Sequence, residues 1–141
     1  MTNEEEKAKW IVDKMYNNDP MSQWLGIVRL KDGPGVSVLR MKVRGEMLNG
    51  FSIAHGGIAY SLADSALAFA SNSHGIQSVS IETSISHVLP VKENDVLTTE
   101  VKEMSLTTRT ALYYITVLNQ DNNAVAHFKG TVFRTGKDWI A

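Results

Sequence analysis

The longest run of apolar positions in the chain extends from residue 56 to residue 73, where hydrophobic side chains fall on nearly every side of a helical projection. Many residues in this run are small, so that other elements can approach closely: Ala59, Ala63, Ala66, Ala68 and Ala70. A helix that is hydrophobic all round is buried in its protein. The pattern therefore predicts a central buried helix over residues 56–73, with Gly75 as its C-terminal stop.

Alternating apolar and polar positions on both sides of this run predict β-strands. Before it, residues 36–44 are predicted to form a strand, because large apolar side chains alternate with basic ones over residues 39–44. After it, the alternation predicts four strands in succession. The first contains the apolar-side positions Val79, Ile81, Thr83 and Ile85. The other three cover residues 96–104, 110–118 and 124–134. The last two of these strands are expected to pair as a hairpin.

The N-terminal segment carries weaker signals. Thr2 or Asn3 can cap an N-terminal helix over residues 1–20, in which acidic residues follow the cap and an Asn-Asn-Asp-Pro sequence ends the pattern. Residues 24–30 are predicted to form a strand. Residues 31–35 are predicted to form a turn, because glycine and proline dominate them.

The order of elements is then a helix, two strands, a buried helix and four strands. This order favours a single α+β domain over residues 1–141, in which an antiparallel sheet wraps around a long central helix. A sheet that covers only part of an apolar helix leaves the remainder exposed. A second copy of the same unit is the simplest cover, so a symmetric dimer is expected.

Composition narrows the function classes. The chain has 43% hydrophobic residues, 21% charged residues and a net charge of −1, which gives no reason to expect nucleic acid or an anionic membrane as a partner. It has no cysteine, so a disulfide, a thiolate nucleophile and a cysteine-ligated metal are excluded. No stretch of uninterrupted apolar residues approaches the ~18 residues of a membrane span, and the acidic start does not resemble a signal peptide. A cytoplasmic location is expected.

The residues that precede and enter the central helix carry the chemical signal. Asn49 lies in the loop before the helix, and His55, Gly56 and Gly57 stand at the helix start. A glycine pair at this place leaves backbone N–H groups free to bind developing negative charge. Asp64 lies alone in the apolar run, and a carboxylate is costly to bury unless it is used. Together these residues predict an acyl-transfer or hydrolysis site.

The spacing of two of these residues sets a geometric constraint. Gly56 and Asp64 are eight residues apart, which corresponds to about 12 Å along one helix. Both groups must act within ~3 Å of one reacting centre, so one chain cannot supply both. An antiparallel helix from a second copy could place its Asp64 opposite Gly56. Burial would raise the pKa of Asp64 and a partner helix start would lower it, which leaves the sign open.

Three segments of the sequence resemble a known enzyme family. His55-Gly56-Gly57, followed by Leu62-Ala63-Asp64 and by Ala70-Ser71-Asn72-Ser73, resembles the hotdog-fold thioesterases, and among them the phenylacetate-degradation (PaaI-like) group. The resemblance extends over most of the chain. It implies a hotdog fold and a homodimer, or a homotetramer built as a dimer of dimers. Such proteins hydrolyse acyl-coenzyme A in sites built across a subunit interface, and no metal or redox cofactor is expected.

The resemblance also implies roles for individual residues. Asp64 corresponds to the catalytic carboxylate, and Gly56 corresponds to the oxyanion-hole donor. Asn49 and His55 correspond to polar groups that position the thioester carbonyl or the attacking water. These four residues are the expected catalytic set.

Further residues are expected to contact the substrate. Certain relatives hold the water with a hydroxyl four positions after the carboxylate, but that position is Ala68 here, so the role could fall to Ser65. Gly57 and Tyr60 are expected near the thioester, although an aromatic residue such as Tyr60 suits the core equally well.

Coenzyme A carries phosphates, and one polar turn suits them. Thr108 and Arg109 offer a hydroxyl and a guanidinium at the start of a predicted strand, with a solvated strand end as the alternative interpretation. No metal site is expected, because His74, His87 and His127 do not share a metal-ligand spacing.

Two other function classes stay open at this point. Hotdog hydratases and dehydratases also act on acyl thioesters, but they pair a histidine with a carboxylate near the helix start, whereas Asp64 lies deep in the predicted helix. A non-catalytic acyl-CoA-binding module would bind without turnover. The acyl group, whether aryl such as phenylacetyl or medium-chain, and the role of Asp64 as general base or nucleophile also stay open.

Overall fold

The computed structural model of the protein describes residues 3–140. Within them, the helices are α1 (Glu4–Asn17), α2 (Pro20–Leu25) and α3 (Gly56–Asn72), and a 3₁₀ turn spans Gly45–Met47. The strands are β1 (Val28–Gly33), β2 (Val36–Lys42), β3 (Ile76–His87), β4 (Val96–Leu106), β5 (Thr110–Leu118) and β6 (Ala124–Asp138).

The six strands form one antiparallel sheet in the order β1-β2-β4-β5-β6-β3. Helix α3 packs against this sheet and supplies Leu62, Leu67 and Phe69 to a core that includes Tyr113 and Ile115, all of them buried. Burial of large apolar side chains between a helix and a sheet is the main driving force for this arrangement. The predicted α+β architecture around a central helix is confirmed.

Strand β6 approaches α3 closely at a glycine. A Cβ atom on Gly130 would lie 2.5 Å from Cδ2 of Leu67, a separation that real Cβ atoms do not adopt. Glycine at this position therefore lets the sheet and the helix pack at short distance. Leu67 lies in the interior of α3, so the close approach is away from both ends of the helix.

One face of α3 is covered incompletely. Gly57 is exposed, and Ser61, Asp64 and Ala68 are half-buried. These four residues recur every three or four positions, so they form one stripe along the helix. We call them the α3 stripe, and it contains the carboxylate singled out from the sequence.

Helix α1 begins as predicted. Asn3 caps it, because its side-chain oxygen accepts a hydrogen bond from the backbone N–H of Glu6 at 2.7 Å. The other predicted cap, Thr2, lies outside the described residues. The buried face of α1 carries Ala8, Ile11 and Val12, so this amphipathic helix packs on its own domain. No helix within residues 3–140 has the length and hydropathy needed to cross a membrane.

The sequence prediction was wrong in the segment that follows α1. The helix predicted over residues 1–20 ends early, because Asp19 caps a second helix in which Pro20 takes the first position. Proline fits there, since its φ is already helical and its missing N–H would have had no partner. Residues 24 and 25, predicted to open a strand, instead complete α2, and the strand starts at Val28.

The remaining strands lie close to their predicted positions. The predicted turn over residues 31–35 is reduced to Pro34–Gly35, where Gly35 takes a φ of +70°. Strand β3 extends beyond the predicted alternation to His87, and β6 extends to Asp138. The predicted hairpin of β5 and β6 is confirmed.

Candidate active site

The first turn of α3 leaves one backbone donor free. His55 caps the helix, and its Nδ1 accepts a long hydrogen bond of 3.5 Å from the N–H of Gly57. The N–H of Ile58 donates to the carbonyl of His55 at 2.9 Å. The N–H of Gly56 has no acceptor among residues 3–140. Gly56 therefore offers an unpaired donor at the positive end of the helix dipole.

The loop before α3 is held firmly in place. The N–H of Ala54 donates to the carbonyl of Val91 at 2.6 Å, and the N–H of His55 donates to the carbonyl of Met47 at 2.8 Å. The side-chain oxygen of Asn49 accepts hydrogen bonds from the N–H groups of residues 51 and 53. Because this oxygen is used by the loop, the amide hydrogens of Asn49 remain available to a ligand.

Asn49, His55 and Gly56 line one cavity of 360 Å³. The rest of its wall is mainly apolar and is formed by Ile53, Ala54, Ala59 and residues 87–91. The structure thus brings together three of the four residues predicted to be catalytic.

His87 also lines this cavity, and the sequence analysis did not place it there. Its Nε2 atom lies 3.2 Å from the position that a Cβ atom on Gly56 would take. The signal was present in the alternation of β3, because Thr83, Ile85 and His87 fall on the same strand face. A histidine that continues the helix-facing side of a strand should have been considered for the site.

Asp64 lies in a different cavity, of 280 Å³, which α1 and β3 help to form through Met15, Val79 and Ser80. Its carboxylate has no hydrogen-bond donor among residues 3–140. Burial raises the pKa of Asp64, and the negative charge of Asp19 raises it further. The sequence left the direction of the pKa shift of Asp64 open. Within one chain, the structure shows that the pKa is raised.

Gly56 and Asp64 are far apart within one protomer. Both lie on α3, eight residues apart, so about 12 Å of helix separates them. They also line separate cavities. A carbonyl held at Gly56 is thus out of reach of Asp64 from the same chain.

Two serines on β3 accompany Asp64 in its cavity. The hydroxyl of Ser78 donates to the carbonyl of Ile76 at 3.1 Å. The hydroxyl of Ser80 has no partner among residues 3–140, so it can hold a water molecule beside the carboxylate. No local sequence signal marked Ser80, because only the packing of β3 against α3 brings this residue to the Asp64 cavity.

The expectation that Ser65 supplies this hydroxyl does not fit the structure. Ser65 is buried, and its hydroxyl lies 2.8 Å from that of Ser22 on α2. The Ser22 hydroxyl donates in turn to Asp19 at 2.6 Å. Ser65 therefore joins α3 to α2 and does not line either cavity.

Tyr60 and Gly57 differ in their surroundings. The hydroxyl of Tyr60 is hydrogen-bonded to Thr83, and its ring meets that of Phe128 edge-on, with centroids 5.4 Å apart. Tyr60 is thus occupied by packing against the sheet and is not part of the Gly56 cavity. Gly57 is exposed beside that cavity.

Thr108 and Arg109 form the exposed turn between β4 and β5. The sheet register places this turn at the end of the strands opposite His87, because Thr110 pairs with Phe133 whereas His87 pairs with residue 126. Within one chain the turn therefore lies away from the Gly56 cavity. Val79 also pairs with Phe133, so the turn is at the Asp64 end of the sheet.

Residues 3–140 contain no group of three or more His, Asp or Glu side chains placed to hold a metal ion.

Comparison with known proteins identifies the family of this chain. A family model described as the thioesterase superfamily matches residues 51–126, a segment that contains the start of α3, Asp64 and His87. The chain belongs to the thioesterase superfamily. The match covers more than half of the chain, and the hotdog fold implied by the sequence is confirmed by the solved structures of relatives.

Three relatives of this thioesterase illustrate the similarity. Acyl-coenzyme A thioesterase PaaI of Escherichia coli is 37% identical over 122 residues, which are 86% of this chain and 87% of PaaI. The structure of the E. coli PaaI protein, from the phenylacetic acid degradation operon, matches with a TM-score of 0.93 and covers 96% of this chain and 99% of that one. The resemblance to the PaaI-like group is therefore confirmed.

The other two relatives are more varied. A protein of Archaeoglobus fulgidus that bears the name "Putative esterase" is 40% identical over 129 residues, which are 92% of this chain and 84% of that protein. A Streptococcus mutans protein solved bound to acetyl CoA is 28% identical, with a TM-score of 0.77, and covers 79% of this chain and 90% of its own. Ligands of coenzyme A type thus occur within this structural family.

Proposed function

We propose that this thioesterase hydrolyses acyl-CoA in composite sites, each built from Gly56 of one chain and Asp64 of a second. The single observation that carries the proposal is the separation of a free N–H donor and an unpaired carboxylate by about 12 Å along one helix. Neither group has a hydrogen-bond partner among residues 3–140 of its own chain. Two antiparallel copies of α3 satisfy both groups at once.

The exposed surfaces of the chain support this pairing. The α3 stripe consists of small or polar side chains, which allow two helices to approach closely. If Gly56 faces Asp64 of the partner, the helices cross near residue 60, halfway between them. Beside the stripe, the edge strand β3 exposes Val79 and Ile81 by more than half. An unpaired apolar edge strand favours pairing with a second copy.

The chemistry follows from these groups. The N–H of Gly56 polarises the thioester carbonyl, and Asn49 and His55 orient it. On the opposite face, Asp64 of the second chain removes a proton from a water held with Ser80, and the water attacks the carbonyl carbon. The tetrahedral intermediate then expels the coenzyme A thiolate. We assign Asp64 the role of general base, because the free Ser80 hydroxyl provides a second ligand for that water.

The substrate class rests on the relatives and on the cavity wall. The wall beside Gly56 is apolar, with Val88, Leu89 and Pro90, and E. coli PaaI comes from a phenylacetic acid degradation operon. We therefore propose an arylacetyl-CoA such as phenylacetyl-CoA as substrate, with medium-chain acyl-CoA as the competing outcome of an assay. Thr108 and Arg109 of the second chain are proposed to hold coenzyme A phosphates. Assembly as a dimer of dimers, a cytoplasmic location and independence from metal or redox cofactors belong to the same proposal.

The test combines two variants that each lack one group. Gly56→Pro removes the free N–H, and proline is tolerated at the first helical position after a residue with φ −58° and ψ 139°. Asp64→Asn removes the base. Each variant alone should lose about 100-fold or more of thiol release from acyl-CoA. After subunit exchange in equal amounts, half of the dimers are mixed and each has one intact site, so about a quarter of the wild-type rate should return.

Three outcomes are distinguished by this experiment. If wild-type protein releases no thiol from any acyl-CoA, the thioesterase proposal is wrong, and a change in enoyl absorbance instead would indicate a hydratase. If the wild type is active but mixing restores nothing although mixed dimers form, the composite site is wrong. Gly56→Ala, which keeps the N–H, serves as the matched control for the size of the side chain at this position.

A further inference from the structure

His87 places an unpaired imidazole beside the free donor of α3. Its Nε2 atom lies 3.2 Å from the Cβ position of Gly56, in the cavity that also contains His55. Neither ring nitrogen has a hydrogen-bond partner among residues 3–140. A ring nitrogen in this position lies close to Gly56, whose N–H is the donor proposed for the thioester oxygen.

The first turn of α3 supplies too few donors for the oxygen of a tetrahedral intermediate. That oxygen carries a full negative charge, and such sites usually provide more than one donor. The N–H of Gly57 is used by the His55 side chain and that of Ile58 by the His55 carbonyl. Only the N–H of Gly56 remains in this turn, so a second donor has to come from a side chain outside the helix, and Asn49 and His87 both line the same cavity.

We propose that His87 is this second donor and is thus a further catalytic residue of the thioesterase. The inference rests on the proposed function and adds to it. In the addition step, the water oxygen bonds to the carbonyl carbon, its proton passes to Asp64 of the second chain, and the carbonyl electron pair moves to the oxygen. The Gly56 N–H and the His87 Nε2–H both donate to that oxygen. When the carbon–sulfur bond breaks, the pair returns to the carbonyl, and His87 has kept its proton throughout.

The surroundings of His87 favour donation over proton transfer. A histidine that acts as a base is usually oriented by a carboxylate on its other nitrogen. The lining of this cavity contains no acidic residue, and the other titratable group in it is His55. The paired strand β6 places no acidic residue opposite His87, because His87 pairs with Ala126. The base of the reaction, Asp64, approaches from the second chain on the opposite side of the carbonyl.

Two substitutions separate a donor from its alternatives. His87→Phe keeps a planar ring of similar size but has no N–H. His87→Gln places an amide N–H close to the former Nε2 position. We expect His87→Phe to lower kcat for acyl-CoA hydrolysis by about 100-fold with little change in KM, as for other oxyanion donors. His87→Gln should recover most of that loss.

The outcomes test the role of His87 as a donor separately from the proposed function. If the wild type hydrolyses acyl-CoA and His87→Phe keeps its kcat within threefold, His87 is not a donor. If His87→Gln is as slow as His87→Phe, the imidazole transfers protons and the inference is also wrong. His127→Phe is the control for a histidine-to-phenylalanine change on an exposed strand position, and it should leave kcat unchanged. Circular dichroism and size-exclusion chromatography check that each variant is folded and assembled.

A double-mutant cycle provides a second measurement. Alanine at position 56 keeps the N–H but brings its Cβ within 3.2 Å of the His87 ring, so it should displace the imidazole and lower kcat. With His87→Ala already present, Gly56→Ala should cost much less, because the displaced donor is absent. Additive effects of the two substitutions would contradict the inference.

Discussion

At the scale of single residues, Asp64 is a carboxylate whose surroundings do not stabilise its charge. It is half-buried on α3, and no donor among residues 3–140 stabilises its charge. Both burial and the nearby charge of Asp19 favour the protonated form and raise its pKa. A carboxylate held at such a cost is typical of a functional group rather than of a structural one.

This environment predicts the pH dependence of the enzyme. In the proposed mechanism the base must be ionised, so kcat/KM should fall as the pH drops below the pKa of Asp64. Asp19→Asn removes a negative charge, which should lower the pKa of Asp64 and move the acid limb of the profile to lower pH. Burial of Asp64 remains, so only part of the rise in pKa should disappear. The measurement is kcat/KM for acyl-CoA hydrolysis from about pH 3 to about pH 8, which extends from below the ordinary pKa of Asp to well above it.

The choice of asparagine keeps the rest of the structure comparable. Asn is as good a helix cap as Asp, so α2 should persist in the Asp19→Asn variant. Asp121→Asn, in the exposed turn between β5 and β6, is the matched control and should leave the profile in place. An acid limb that does not move, or that moves upward, would show that Asp19 does not influence the base.

Sequence alone identified part of the candidate site. Gly56 and Asp64 could be predicted because the helix start and the apolar run that contain them are local patterns. His87 and Ser80 could not, because they are contributed by β3, and only the packing of that strand against α3 brings them to the two cavities. The contact of Ser65 was not predicted for the same reason, since its partner Ser22 is 43 residues away.

At the scale of elements, α2 is attached to α3 through a buried polar contact. The hydroxyls of Ser22 and Ser65 are 2.8 Å apart, and both residues are buried. Because Ser22 donates to Asp19, Ser65 donates to Ser22. A buried hydroxyl that loses its only partner costs more than the bond itself contributes.

The stability of single and double variants tests this contact. Ser22→Ala should lower the free energy of unfolding by about 1–3 kcal/mol, because the Ser65 hydroxyl is then buried without an acceptor. Adding Ser65→Ala should recover part of that loss. Urea unfolding at one fixed protein concentration measures both, since assembly makes stability depend on concentration. A double variant less stable than Ser22→Ala alone would contradict the assigned contact.

Element boundaries were predictable where one pattern dominated. The alternation of β5 and the capping residues of α1 were sufficient, because both signals are local. The segment from residue 18 to residue 27 was not, since Asp19-Pro20 can end one helix or begin another. The short α2 is decided by the burial of Ser22 and Leu25, which depends on packing against α3.

At the scale of the whole molecule, the α3 stripe predicts where two chains meet. The proposed facing of Gly56 and Asp64 centres the helix crossing near residue 60, so Ser61 of one chain should lie against the same region of the other. The sequence has no cysteine, which allows a single cysteine to report on this contact without interference.

A cross-linking experiment tests that geometry. Ser61→Cys should give a covalent dimer with a short bismaleimide reagent, because the two thiols lie on facing helices. Ser105→Cys, on an exposed position of β4, is the matched control and should remain monomeric on a denaturing gel. If Ser61→Cys is active and dimeric but gives no cross-linked product, the chains associate through another surface.

The position of both key groups on one helix has a consequence for cells that contain two versions of this protein. In the proposed pair, each chain donates one group to each of two sites. A chain with Asp64→Asn therefore silences one site of a mixed pair, and total activity should fall in direct proportion to its share of the population. A chain that lacks both groups silences both sites, so activity should fall with the square of the intact fraction. Gene dosage would thus distinguish two defects that look equally inactive when each protein is purified alone.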